Sequence, residues 1–314
     1  MAFGYTAQEL IKEIRDLSGI NNTSSDGATD TDVLGHINAA MRELILPVLH
    51  NCREDYNLVR ERVSVSASGE TRLPVRAMWN KLSNAWLWDG ERRKYLTPVR
   101  TEELADYALT GTTEPSGVYV EGNHVQLLPA GACTLEMAYF FRPGDLMKTT
   151  SARQILSVDV STGEVIFSTA IPTAWEALPS MDIHSQYSGA EIKAWDVTPT
   201  AAAGTSVTFS PTAINGSVFG RKTLATGDWV CLAEEAVLPA VPRELHPLIV
   251  RAVALRYAEA EGDSTMARTH AELLDRMMKT AQTTLEQRVE LKPMRLTPNR
   301  STLAAARDRS YRRW

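Results

Sequence analysis

LPAVPRELHPLIVRAVALRYAEAEGD, residues 238–263, runs into STMARTHAELLDRMMKTAQTTLEQRVE, residues 264–290. Prolines bracket the first run at 239, 242 and 247, and Pro242 suits a first helical position, where its missing N–H would go unpaired anyway. Ile249, Ala252, Val253, Tyr257 and Ala260, with Leu255 flanking, then recur at a helical period. Gly262 can take the left-handed conformation that stops a helix, and Asp263 can cap the next one. In the second run Ala267, Ala271, Leu274, Met278, Ala281 and Leu285 again repeat helically. The stretch therefore predicts an αα-hairpin, and neither helix can bury its apolar face alone.

The partner is predicted at the other end of the chain. Thr6 and Glu9 form a capping box ahead of Leu10, Ile11, Ile14 and Leu17, with Gly19 as the stop. After a polar loop, Thr29-Asp30 opens a second helix with Val33, Leu34, Ile37, Ala40, Met41, Leu44 and Ile45 on one stripe. Between the two helical ends the period changes to two. Strands are expected at 56–65, at 71–75 as a return strand, around the Asp89-Gly90-Glu91 turn, at 118–120, 125–128 and 135–141. A polar helical segment is expected over Thr101–Leu109. Residues 145–236 read as further short strands, with one hairpin at 155–167 and another joining 190–197 to 206–209.

The predicted fold class is α+β. Residues 1–50 form an N-terminal helical pair that packs with a C-terminal pair at 236–290 into a helical bundle. Residues 51–143 form an antiparallel β unit, and 144–235 an inserted β-sandwich or barrel-like domain. Residues 291–314 are a basic, extended C-terminal tail.

Composition narrows the function classes. With 44% hydrophobic and 23% charged residues, the 314-residue chain has ordinary globular proportions. No apolar run approaches a membrane span, and the opening Met1-Ala2-Phe3-Gly4-Tyr5 predicts no signal peptide. Cys52, Cys133 and Cys231 are too far apart for a C-x-x-C site and suit a reducing compartment. Six arginines against Asp308 give the last twenty residues +5, so the rest carries −10 of the net −5. A basic tail on an acidic body predicts an acidic partner, either a carboxylate-rich protein or nucleic acid.

Enzyme signatures fail one by one. Asp26, Asp30 and Asp32 lack the glycine and distal glutamate of a calcium loop. The six histidines form no zinc-helix pair, and Gly220-Arg221-Lys222-Thr223 lacks the upstream glycines of a P-loop. Glu259 and Glu261 are two apart on a helix and do not face each other. The reading is no catalysis, no metal and no cofactor. Met277-Met278 and the group Trp79, Trp86 and Trp88 read as core or subunit contacts.

The ordered set of pieces resembles the head-to-tail adaptor, or connector, proteins of tailed bacteriophages. The similar features are Asp30, Ile37, Asn38-Ala39-Ala40 and Glu43-Leu44, then Leu73-Pro74, Pro98–Tyr107, Gly117-Val118-Tyr119 and Asn123–Pro129. Tyr139–Pro143, Leu146 and the closing segment from Leu238-Pro239 through Gly262-Asp263 complete it. The likeness covers most of 6–143 and 236–290, and the strands between are a departure. The resemblance implies a non-catalytic ring, usually of twelve copies, in the neck of the virion, assembled in the host cytoplasm. It implies a C-terminal tail that docks on the portal protein, and a site for the next tail or nozzle component. DNA would pass through the channel without sequence-specific binding, and no membrane is involved. Here the tail places Arg295, Arg300, Leu303, Arg307, Arg309, Tyr311, Arg312, Arg313 and Trp314 in the portal-binding position. Two other classes stay open: a virion-carried cell-wall hydrolase, and a carbohydrate- or receptor-binding tail module that would expose Trp175, Trp195 or Trp229.

Overall fold

The computed structural model describes residues 6–19, 28–52, 56–104, 114–186 and 191–286, and it is a mixed α and β protein. Its helices gather at both ends of the chain and its strands lie between them. Helix α1 spans Ala7–Ser18; Thr6 Oγ1 accepts from the Glu9 N–H and Glu9 bonds back to the Thr6 N–H at 2.7 Å. Helix α2 spans Asp30–Ala40 behind the same kind of box, made by Thr29 and Asp32. It does not stop near Ile45. A π-turn at Met41–Ile45, in which the Leu46 N–H reaches the Met41 carbonyl, carries it into α3, Leu46–Cys52. That wider turn lets Pro47, which has no N–H to donate, sit inside a continuous helix.

The closing helices are α5, His246–Glu261, and α6, Ser264–Glu286. Gly262 is left-handed at φ 75°, and Asp263 Oδ1 accepts from the Thr265 and Met266 N–H groups at 3.0 and 2.9 Å. Losing such a cap costs about 1 kcal/mol. Asp263→Ala is expected to lower helical stability by that amount, read as the urea midpoint of far-UV ellipticity. Pro242 precedes a 3₁₀ turn at Arg243–Leu245, and Pro247 is the proline at the helix start. Helix α5 touches α1, α2 and α6, and α6 also touches α3. Leu10, Ile14, Val33, Ile37, Ile45, Ile249 and Val253 are buried in one core with it. Because Leu248, Val250, Ala254 and Ala258 are buried too, α5 is covered on most sides, and its exposed residues are Pro247 in the first turn and Glu259, Ala260 and Glu261 in the last.

His246 begins α5 fully buried, its Nε2 3.3 Å from the Val241 carbonyl. Burial drives its pKa down to about 4. The unfolded chain therefore binds the extra proton between pH 6.5 and 4, so this contribution is complete at neutral pH and is lost as pH falls through that window. The lost stability is about 3 kcal/mol. Lowered His270 acts in the same sense, while raised Asp196 and Glu235 act against it. The expected result is a smaller drop in melting temperature from pH 7 to pH 4.5 for His246→Gln than for the wild type.

The middle strands are β1 (Leu58–Val65), β2 (Glu70–Arg72), β3 (Ala77–Trp88), β4 (Arg93–Tyr95), β5 (Thr97–Pro98), β6 (Gly117–Glu121), β7 (His124–Leu128) and β8 (Cys133–Phe141). They make two four-stranded sheets, β1-β8-β3-β4 and β2-β7-β6-β5. Val65, Leu87, Leu127, Leu135, Met137 and Tyr139 fill a shared core, so these two sheets of residues 58–141 form a sandwich. The stretch after Gly69 is not a return strand: β2 leaves β1 and pairs with β7 in the other sheet. Thr101–Glu103 is a 3₁₀ turn, and the rest of the expected helical segment, 105–113, lies outside the described residues.

The next strands are β9 (Asp145–Leu146), β10 (Arg153–Asp159), β11 (Glu164–Phe167), β12 (Met181–His184), β13 (Ile192–Val197), β14 (Ala201–Ala203), β15 (Ser206–Thr208), β16 (Trp229–Leu232) and β17 (Glu235–Ala236), with a one-turn helix α4 at Pro211–Ile214. Seven of them form the sheet β13-β12-β16-β10-β11-β15-β14. The β10–β11 hairpin is as expected. The second hairpin is not: β13 pairs with β12, and β15 pairs with β14, the Ala201–Ala203 strand that lies between the two expected partners. Where the chain enters and leaves this sheet, β9 and β17 pair in parallel. Gly144 is required there, since a Cβ would lie 2.8 Å from the Glu234 and Glu235 backbone.

Candidate functional site

The expected portal-binding residues Arg295, Arg300, Leu303, Arg307, Arg309, Tyr311, Arg312, Arg313 and Trp314 all lie outside the described residues. What the structure does define is the helix that leads to them. Helix α6 has 23 residues, about 34 Å at 1.5 Å each. His270 is buried, and Leu274, Met277, Met278, Ala281 and Leu285 rest half-buried on the helical core. Arg251 of α5 donates to His270 Nδ1 at 2.8 Å. Burial, with the Arg251 charge, lowers the His270 pKa and keeps the imidazole a neutral acceptor. The other face is exposed. Its Arg268–Glu272 and Asp275–Lys279 pairs, 3.0 and 2.6 Å, are spaced i,i+4. Thr269, Thr280, Thr283 and Thr284 turn their hydroxyls back to carbonyls one turn earlier. Most of this helix is therefore solvated, and its apolar stripe anchors it to the body.

A second feature was not legible in the sequence. A cleft of about 310 Å³ opens where helix, sandwich and third sheet meet, lined among others by Arg42, Leu46, Arg76, Trp79, Arg142 and Pro143. Arg76 is 2% exposed. Its Nη2 donates to Asp182 Oδ2 at 2.8 Å and to the Arg142 carbonyl at 3.4 Å, and its guanidinium lies 4.7 Å from the Phe141 ring centre. Asp182 also accepts from the Asp196 and Glu234 N–H groups, each at 3.0 Å. Burial and the neighbouring Asp182 charge raise the Asp196 pKa. This buried ion pair joins β12 to the loop before β3. Nearby, Arg62 lies between Trp88 and Phe219 and bonds buried Glu136, while Trp195 packs on Phe141. Charged and aromatic contacts thus hold the strands between 144 and 235 against the sandwich.

The other sequence candidates resolve simply. Asp30 pairs with Arg15 and Lys148, and Asp32 caps α2; Asp26 lies outside the described residues. Among the described residues no group of three His, Cys, Asp or Glu side chains is placed to hold a metal ion. Trp175 and Trp195 are buried and Trp229 is half-buried, so they offer no aromatic groove for a sugar. Trp86 and Trp88 are half-buried, whereas Trp79 is 53% exposed. Among the described residues no helix is long and apolar enough to cross a membrane.

The chain matches the model of the SU10 adaptor protein family over residues 5–178. It belongs to that family of phage head-to-tail adaptors. The match takes in α1 to α3, the whole sandwich and the strands as far as β11. It therefore runs on through 144–178, where the resemblance was expected to break off, and it does not reach the closing helical pair. A comparison with curated proteins gave no match. The adaptor's place is structural, in the assembly of a phage.

Proposed function

We propose that this adaptor assembles as a ring, of twelve copies as its family resemblance implies, beneath the portal in the neck of the virion. Segment 291–314 is the arm that docks on the portal, and the opposite side of the ring receives the next tail or nozzle component. The observation that carries this reading is the family match together with α6, whose half-buried apolar stripe fixes it to the core while its last described residue, Glu286, leads into the +5 segment. Arginine, tyrosine and tryptophan are the side chains that most often dominate protein interfaces. The arm's arginines would meet portal carboxylates, with Leu303, Tyr311 and Trp314 in apolar pockets. Ring closure multiplies weak contacts between copies through effective concentration. An acidic body suits a channel through which DNA slides without being held.

In this reading residues 1–50 and 236–290 are one helical unit, and 144–235 an insertion standing on the β9–β17 stem. Catalysis has no role. The test is electron microscopy of the purified chain mixed with its portal. Rings seated on the portal support the reading, and a turbidity loss on host cell walls would favour the hydrolase instead.

A further inference from the structure

Strand β3 contains a costly irregularity. Trp79 and Asn80 are consecutive non-glycine residues in the left-handed region, at φ 55° and 50°. The register to β8 jumps there, from Ala77 to Leu82. Such conformations persist where surrounding structure imposes them, and they cluster at functional positions. The bulge leaves the Trp79 indole 53% exposed, with the His50 ring 5.1 Å from it, and Val75, four residues earlier, is 80% exposed. Exposed Arg42 and Arg142 line the cleft with Trp79, against Asp145 and Glu234, and exposed Lys81 follows two residues along the strand. Arg42 reaches Asp145 only at 3.5 Å. Buried Arg76 lines the same cleft, and its Nε has no hydrogen-bond partner. An exposed tryptophan flanked by the exposed guanidinium groups of Arg42 and Arg142 is built to receive a carboxylate-bearing surface.

The other layer of the sandwich carries such a surface. On β2, β7 and β6 the outward rows are Glu70, Gln126 and Tyr119, then Arg72, His124 and Glu121. All of these but Arg72 border a shallow depression of about 170 Å³. Glu102 and Glu103 follow β5 at the edge of this sheet, beside Arg100, and Thr101 Oγ1 lies 3.5 Å from the Tyr119 hydroxyl. One layer thus presents a cationic aromatic knuckle and the other an acidic depression. Closed rings are made by heterologous contacts, in which two different patches of one chain meet head to tail.

The geometry points to Trp79 and its arginine cleft as one half of the contact between neighbouring copies, with the Glu70–Glu121 face of the next copy as the other half. This rests on the ring proposed above and names the surfaces that close it.

The test is the assembly of full-length variants on the portal, followed by negative-stain microscopy across a concentration series. Trp79→Ala should raise the concentration needed for half-assembly at least about tenfold. The reversal pair Arg42→Glu with Arg142→Glu should do likewise, as should Glu70→Lys with Glu121→Lys. Combining the two pairs should recover most of the loss, because opposite charges again face each other. All the altered residues are exposed, so melting temperatures within a few degrees of wild type verify folding. Rings from Trp79→Ala at the wild-type concentration, or a combined variant no better than its parents, overturn the contact while leaving the ring intact. Absence of rings from the wild-type chain overturns the ring itself.

Discussion

Removing residues 295–314 should weaken docking on the portal by at least about 100-fold while leaving the fold unchanged. The size follows from what is removed: six arginines and two aromatic residues, of the kinds that form interface hot spots at 2 kcal/mol or more each. Two such anchors correspond to about a thousandfold in affinity before any ordering cost. The charge component should appear as a salt dependence, steep for the intact chain and shallow for the truncated one. The truncated chain should keep its helical ellipticity and melting temperature, since the core of α1, α2, α5 and α6 is complete by Leu285. Surface plasmon resonance at two ionic strengths measures both quantities. Full-strength docking by the truncated chain would refute the arm.

The second large effect is on stability. Arg76→Ala leaves Asp182, fully buried, with the Asp196 and Glu234 N–H groups but no compensating cation. Breaking a buried pair from one side costs about 3–5 kcal/mol. The loss should fall on the junction between the sandwich and the third sheet, where Trp195 packs on Phe141 at 5.5 Å. With several cores in one chain, a single unfolding free energy is not well defined. The readout is therefore the first urea transition in tryptophan fluorescence, expected to move to clearly lower denaturant. Arg76→Met with Asp182→Leu should recover much of the loss, because no charge is then stranded in the interior. A wild-type midpoint for Arg76→Ala would show that the pair contributes nothing to the junction.

These residues also mark where sequence reasoning stops. Thr6 with Glu9 and Gly262 with Asp263 are local devices, so their roles are readable from spacing alone. The hairpins at 155–167 and 117–128 are readable for the same reason: turn residues lie between short alternating runs. Strand β12 is different. Its four residues, Met181 to His184, are all buried, and two of them are polar, so neither alternation nor an apolar run announces it. With β12 unannounced, neither the true partner of β13 nor the Arg76–Asp182 pair, whose members are 106 positions apart, is legible. The exchange of β2 into the second sheet was equally invisible, since alternation gives the same pattern in either layer of a sandwich. Continuation of α2 past Pro47 depends on a π-turn, where proline alone signals a stop. Proximity in sequence groups Trp79 with Trp86 and Trp88; its left-handed backbone, which sets it apart, exists only in the folded strand.

In the proposed function, copies of this chain close into a ring on the portal. Cryo-electron microscopy of the purified, full-length chain mixed with its portal tests it most directly. The expected result is a closed ring of chains seated coaxially on the portal, with density for residues 291–314 running onto the portal surface. Monomers bound at scattered positions, or a portal left bare at micromolar concentration of the chain, would contradict it.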